Sequence, residues 1–231
     1  STGYMTFLSR YKAPFVFSCF NQTIFDMQVL THELGHAFAG YMAMRHQPIA
    51  DYYSESTDIA EIHSMSMEQF AYPYAEQFFG EDADKFRFAH LQEAITFVPF
   101  GVAVDEFQHI VYENPEMTPA ERKEVWMKLE KEYRPHLDYE DDPFFGMGGF
   151  WQRQMHIYMY PFYYIDYVLA SVCAMQFKVM MDEDYKKAWE NYLKLCNLSA
   201  RDFYVNMLPQ VGLNCPFDDG CVEELVKKLD K

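Results

Sequence analysis

His32-Glu33-Leu34-Gly35-His36 brings two imidazoles and a carboxylate together within five residues. On an α-helix, positions four apart differ by only about 40° around the axis. Both rings can therefore close on one ion at about 2.0–2.1 Å, the length of a zinc–nitrogen bond. Glu33 is offset from the two histidines by about 100° and 60°. It stays out of a ligand position but can lean over the ion, which suits a general base acting on water. Gly35 lets a second element pack close, at a helix-propensity cost of about 1 kcal/mol relative to Ala. The plain alternative is a surface helix whose histidines bind nothing.

Catalytic zinc usually has three protein ligands and one open position. His46, Glu55, Asp58, Glu61, His63 and Glu68 are the downstream candidates for the third. A histidine six residues after His36 is excluded, because Met42 stands there. Asp58, Glu61, Met65 and Glu68 recur at steps of three and four, on one helix face. Within that stripe Glu61 can ligate the ion. Asp58, one turn earlier, can hydrogen-bond a ligand histidine and fix its tautomer. A solvated acidic face is the competing reading of the same stripe.

These side chains need helices to hold them. Ile24, Met27, Leu30, Leu34, Ala37 and Phe38 predict a helix from about Thr23 to His46, stopped by Pro48. A second runs from near Ser56 to Phe79 and ends at Gly80, with Pro73 kinking or splitting it. Asp82 can cap a third. Thr118-Pro119, with Glu121 in the first turn, is another start. Residues 138–149 read as a loop, 150–180 as long helical patterns, and 183–196, 200–208 and 219–230 as shorter ones. The aromatic and β-branched run from Phe15 to Phe20 reads as a short strand. The expected fold is mainly α, one domain over residues 1–231, with a small β element near the N-terminus.

Composition narrows the class further. Half of the 231 residues are hydrophobic and 18% are aromatic, enough for a sizeable core, so the net charge of −16 does not imply disorder. That charge repels phosphate, which opposes a nucleic-acid or anionic-membrane partner. No apolar run is long enough to span a bilayer. The five cysteines are odd in number and form no CxxC, which favours free thiols in a reducing, cytoplasmic compartment over a Cys215–Cys221 pair. The sequence starts at Ser1 without a methionine, as a fragment or processed product would.

Two stretches, Leu30–Phe38 around the motif and Asp58-Ile59-Ala60-Glu61-Ile62-His63-Ser64-Met65, resemble the oligoendopeptidase F and thimet oligopeptidase family of zinc peptidases. That family's third ligand is a glutamate 25 residues after the second histidine, the position of Glu61. Gly3–Leu8 and Pro14–Phe17 resemble the segment that precedes the zinc helix. Gly146-Met147-Gly148-Gly149 and the run His156–Tyr167 resemble the family's glycine-rich loop and the histidine and tyrosines that follow it. With a one-residue gap, the family tyrosines fall on Tyr160, Tyr164 and Tyr167, and Tyr163 competes with Tyr164. An aromatic packing stripe is the alternative.

The resemblance implies a zincin-like catalytic domain holding one Zn2+ per chain through His32, His36 and Glu61, with Glu33 as the base. It implies oligopeptide substrates whose scissile carbonyl is faced by His156 and one or two of the tyrosines. Phe15 and Phe17 would lie beside substrate backbone as an edge strand, and Gly148 and Gly149 in a loop that grips it. Family members also carry an N-terminal helical region that encloses a deep channel. That region would come from a longer chain, a separate N-terminal half or a homo-oligomeric partner. A zinc carboxypeptidase and a non-catalytic zinc- or peptide-binding fragment are the alternatives.

Overall fold

Alternating side chains start the chain. In Gly3–Leu8 (β1) every second residue is exposed, and Ala13–Ser18 (β2) returns antiparallel, with Tyr4 opposite Phe17 and Thr6 opposite Phe15. A computed structural model describes residues 3–54, 56–198 and 201–230. Glu55, one of the candidate third ligands, lies outside them. β1 carries the same alternation that marks a strand, although the aromatic run singled out only β2.

Ile24–His46 (α1) follows with the expected bounds. Its first turn is held by Asp26, whose carboxylate accepts the backbone N–H groups of Asn21, Gln22 and Thr23 at 3.0, 2.6 and 3.2 Å. Thr57–Phe70 (α2) ends before Pro73, and the segment resumes as Glu76–Phe79 (α3). Pro73 therefore splits this helix rather than kinking it. Next come Ala83–Glu113 (α4) and Pro119–Tyr133 (α5). The latter starts where expected, and there it forms a capping box, with Thr118 Oγ1 accepting from Glu121 N and the Glu121 carboxylate accepting from Thr118 N. Met155–Met159 (α6), Tyr164–Leu198 (α7, with a break at Asp184), Tyr204–Met207 (α8) and Cys221–Leu229 (α9) complete the order. The chain is mainly helical with one two-stranded sheet, as expected.

The chain forms two compact units, where the sequence reading gave one domain. One comprises the residues up to Leu91 and those from Leu169 on; the other is Gln92–Val168. No linker marks the boundaries because both fall inside helices, α4 and α7.

In the first unit, Ile59, Ile62 and Phe70 of α2 are buried with Phe177, Tyr192 and Leu195 of α7 and with Met207, Leu208 and Val211. Each such side chain contributes about 1.5–3 kcal/mol on burial. Tyr192 also donates its hydroxyl to the His63 carbonyl at 3.0 Å, tying α7 to α2. In the second unit, Phe107, Trp126, Trp151 and Tyr164 form the core. No helix among the described residues is long and apolar enough to cross a membrane, and the five cysteines are free thiols.

Candidate active site

α1 and α2 bring three donors together. The ligand atoms of His32, His36 and Glu61 lie within 4.8 Å of one another. Glu61 Oε2 stands 3.3 Å from His32 Nε2 and 3.6 Å from His36 Nε2, and the two rings meet edge to face. Donors at about 2.0–2.1 Å from a tetrahedral zinc would be roughly 3.3–3.4 Å apart. The spacing therefore fits such an ion, and so does the donor set of two imidazoles and one carboxylate. Glu61 is buried, and its Oε2 also lies 3.0 Å from the Ser64 hydroxyl, which can donate to it. Ser64 was not singled out from the sequence.

Electrostatics favour positive charge at this point. Burial opposes a charged His32, but hydrogen bonds to Glu61 and Glu68 outweigh it and raise its pKa to about 10. The Glu33 carboxyl is held above its ordinary range, first by partial burial and then by Glu61, with His32 acting the other way. A divalent cation would meet the same field.

The carboxylate behind His32 is Glu68. Its Oε1 lies 2.7 Å from His32 Nδ1, the kind of contact to a ligand histidine that the sequence suggests for Asp58. Asp58 Oδ1 instead accepts from the neighbouring Ile59 N–H at 2.9 Å, and its side chain lines a cleft with Asp202, Phe203 and Tyr204. Both carboxylates lie on the predicted stripe, but the C-terminal one meets His32.

The second unit gathers the other candidates. The His156 ring lies 5.1 Å from Tyr164, 5.8 Å from Tyr167 and 6.0 Å, stacked, from Tyr163. Gln154 donates its amide to His156 Nδ1 at 2.6 Å, which leaves Nε2 as an N–H donor. Tyr164 is buried against Phe97 and Phe100, and burial pushes its hydroxyl pKa up. Tyr160 is 59% exposed, with its ring 6.1 Å from that of Tyr163. Between Tyr160 and Tyr164 the chain turns through Phe162, whose φ of +63° is strained for a side chain of that size. Buried Gln108 accepts the Phe162 N–H at 2.9 Å and donates to the Val104 carbonyl at 3.3 Å. Gln108 thus sets the direction in which the aromatic run continues, and the sequence reading missed it.

Phe15 and Phe17 are exposed, with Tyr4 stacked on Phe17 at 5.4 Å, so this face of the hairpin is open. Gly148 and Gly149 are buried, which does not suit a loop that grips substrate. Gly148 packs on the Lys123 carbonyl of α5, and Gly149 donates to the Phe144 carbonyl at 3.0 Å.

Comparison with known proteins places the chain in a class. Residues 1–225 match peptidase family M3, and the chain belongs to that family. It is similar to oligopeptidase PepF of Bacillus subtilis (strain 168), with 22% identity over 231 residues, 94% of this chain and 33% of that protein. Among solved structures, it is similar to a candidate oligoendopeptidase F at 53% identity and a TM-score of 0.94, covering 100% of this chain and 40% of that one. Similarity to PZ peptidase A, solved with an inhibitor, is 50% identity at a TM-score of 0.94, covering 100% and 41%. The chain spans about a third of the length of the curated relatives it matches.

Proposed function

We propose that this chain carries the catalytic metal centre of a zinc-dependent endopeptidase acting on oligopeptides. The observation that carries the reading is Glu61 Oε2, poised 3.3 and 3.6 Å from the Nε2 atoms of His32 and His36. Membership of peptidase family M3 supports the peptide substrate. When bound, zinc supplies Lewis acidity, which makes water acidic near neutral pH and polarises a carbonyl.

The chain's own residues do the rest. His32, His36 and Glu61 hold the ion. Glu33 takes a proton from the attacking water and passes it to the leaving amine. His156, through Nε2, and Tyr167 are proposed donors to the carbonyl oxygen as negative charge develops there. That role rests on the resemblance of the run His156–Tyr167 to the family pattern. Phe15 and Phe17 offer an exposed strand face beside which peptide backbone can lie.

Metal analysis and a mass-spectrometric digest of end-blocked peptides test the reading, with intact folded proteins as controls. One zinc per chain and internal cleavage are expected. Glu61→Ala should lose the metal, whereas Glu33→Gln should keep it and lose turnover by about 10²–10⁴-fold. Full zinc occupancy in Glu61→Ala, or normal turnover in zinc-loaded Glu33→Gln, would sink it.

A further inference from the structure

Glu68 is the middle of a longer chain of contacts. Its second oxygen, Oε2, lies 2.6 Å from His90 Nε2, and His90 Nδ1 lies 2.7 Å from the Tyr72 hydroxyl. Tyr72, Glu68 and His90 are each less than a tenth exposed. They come from three places in the sequence: α2, the turn around Pro73 and the start of α4. Tyr72 is fixed by Arg87, which donates to its carbonyl through Nε and Nη2 at 3.1 and 2.9 Å. The Phe86 ring lies 5.6 Å from His90 and 6.1 Å from Tyr72.

Proton inventory gives this chain one direction. An ionised carboxylate only accepts, so the hydrogens on both sides of Glu68 belong to the imidazoles. His90 donates from Nε2, which leaves the lone pair of a neutral ring on Nδ1. The Tyr72 hydroxyl is the donor that satisfies it. His32 likewise directs its Nδ1–H to Glu68, so the nitrogen left for an ion is Nε2, the atom 3.3 Å from Glu61. Every polar atom in the row from the Tyr72 hydroxyl to His32 Nδ1 is then matched.

We propose that Tyr72 and His90 are positioning residues for the metal centre. Through Glu68 they hold His32 in the one tautomer and orientation that presents Nε2 to the ion. This rests on the reading of His32 as a ligand. Removing His90 would leave Glu68 buried with one oxygen unmatched and free to turn, and His32 would lose its fixed partner. Removing the Tyr72 hydroxyl would leave His90 Nδ1 without its donor, so the ring would turn more freely and hold Glu68 less firmly.

The test measures zinc affinity of the 231-residue chain by competition with a chromophoric chelator, alongside the melting temperature of the metal-free protein. His90→Leu should weaken zinc binding by about 10–100-fold, and Tyr72→Phe, which keeps the ring, by about 10-fold. His90→Gln, whose amide can donate where Nε2 did, should recover most of what His90→Leu loses. Nitrogen-15 shifts of His32 in the zinc-loaded chain should report zinc on Nε2 with Nδ1–H in the parent, and a mixture of the two ligation modes in His90→Leu. Parent-like zinc affinity in His90→Leu and Tyr72→Phe, with His32→Ala still weak, overturns the positioning role and leaves the ligand reading standing. A loss that only tracks a lower melting temperature also overturns it. Undiminished zinc binding in His32→Ala would remove the ligand reading instead.

Discussion

A Cβ on Gly35 would stand 2.5 Å from the carbonyl oxygen of His63. It would also lie 2.6 Å from the Cα of Ser64, so the obstacle is the backbone of α2 and not a movable side chain. The glycine inside the HExxH motif thus lets α1 and α2 approach closely enough for Glu61 to reach both histidines. Gly35→Ala should force the helices apart. The expected cost is about 1–3 kcal/mol of stability, as for overpacking in a core, with weaker zinc binding in the protein that remains folded. Chemical denaturation and chelator competition measure the two effects. Parent-like values in both would show that the close approach is not needed.

The tyrosines separate by burial. Tyr160→Phe alters an exposed ring and should leave stability unchanged. Tyr164 packs in the core of its unit, so loss of its hydroxyl should show mainly in the melting temperature. Tyr167→Phe should lower turnover with little change in melting temperature, because a donor to a developing oxyanion is worth about 2.7–4 kcal/mol of barrier. Steady-state kinetics and thermal melts on the three variants distinguish these outcomes. Full activity in Tyr167→Phe would end its proposed role.

Thiol reactivity should differ sharply between two cysteines. Cys19 is exposed, whereas burial pushes the Cys173 thiol up to about 12, with the Tyr204 hydrogen bond acting the other way. The thiolate is the reactive form. Alkylation of the native chain at pH 8 should therefore label Cys19 and spare Cys173 until the protein unfolds. A thiol whose folded pKa is raised contributes stability below its ordinary value of 9.0, and that contribution is lost as pH rises through about 12. Peptide mapping after timed alkylation gives the order. Early labelling of Cys173 in folded protein would contradict the buried environment.

How far the sequence could be read depended on the range of each interaction. The bounds of α1 and the start of α5 at Thr118 were legible because hydrophobic period, cap residues and proline all act within a few positions. The stripe Asp58, Glu61, Glu68 was legible as a face, but not which of its ends meets His32. That choice depends on how α2 crosses α1, and spacing along α2 carries no information about it. His90 and Gln108 had no local signal at all. Each acts on a partner 22 or 54 residues away, and in the sequence each is one polar residue in a long helix. The boundaries between the two units were hidden for a similar reason, since helical periodicity continues through them.

Gly35 and Gly40 are the two glycines of α1, and both stand at close approaches. Gly40, five residues later and about 140° around the axis, lies where a Cβ would collide with the ring of Phe7 in β1. A helix caught between a neighbouring backbone on one side and an aromatic ring on another can neither roll nor slide without collision. The two imidazoles share that immobility, and His32 is further held at Nδ1. Ordering a side chain at a binding site typically costs about 0.5–1.5 kcal/mol. Here that ordering is completed as the chain folds, before any ion arrives. The metal-free protein should already hold its donors convergent, so capture of the ion becomes the filling of a rigid seat, in exchange for the proton that His32 holds there.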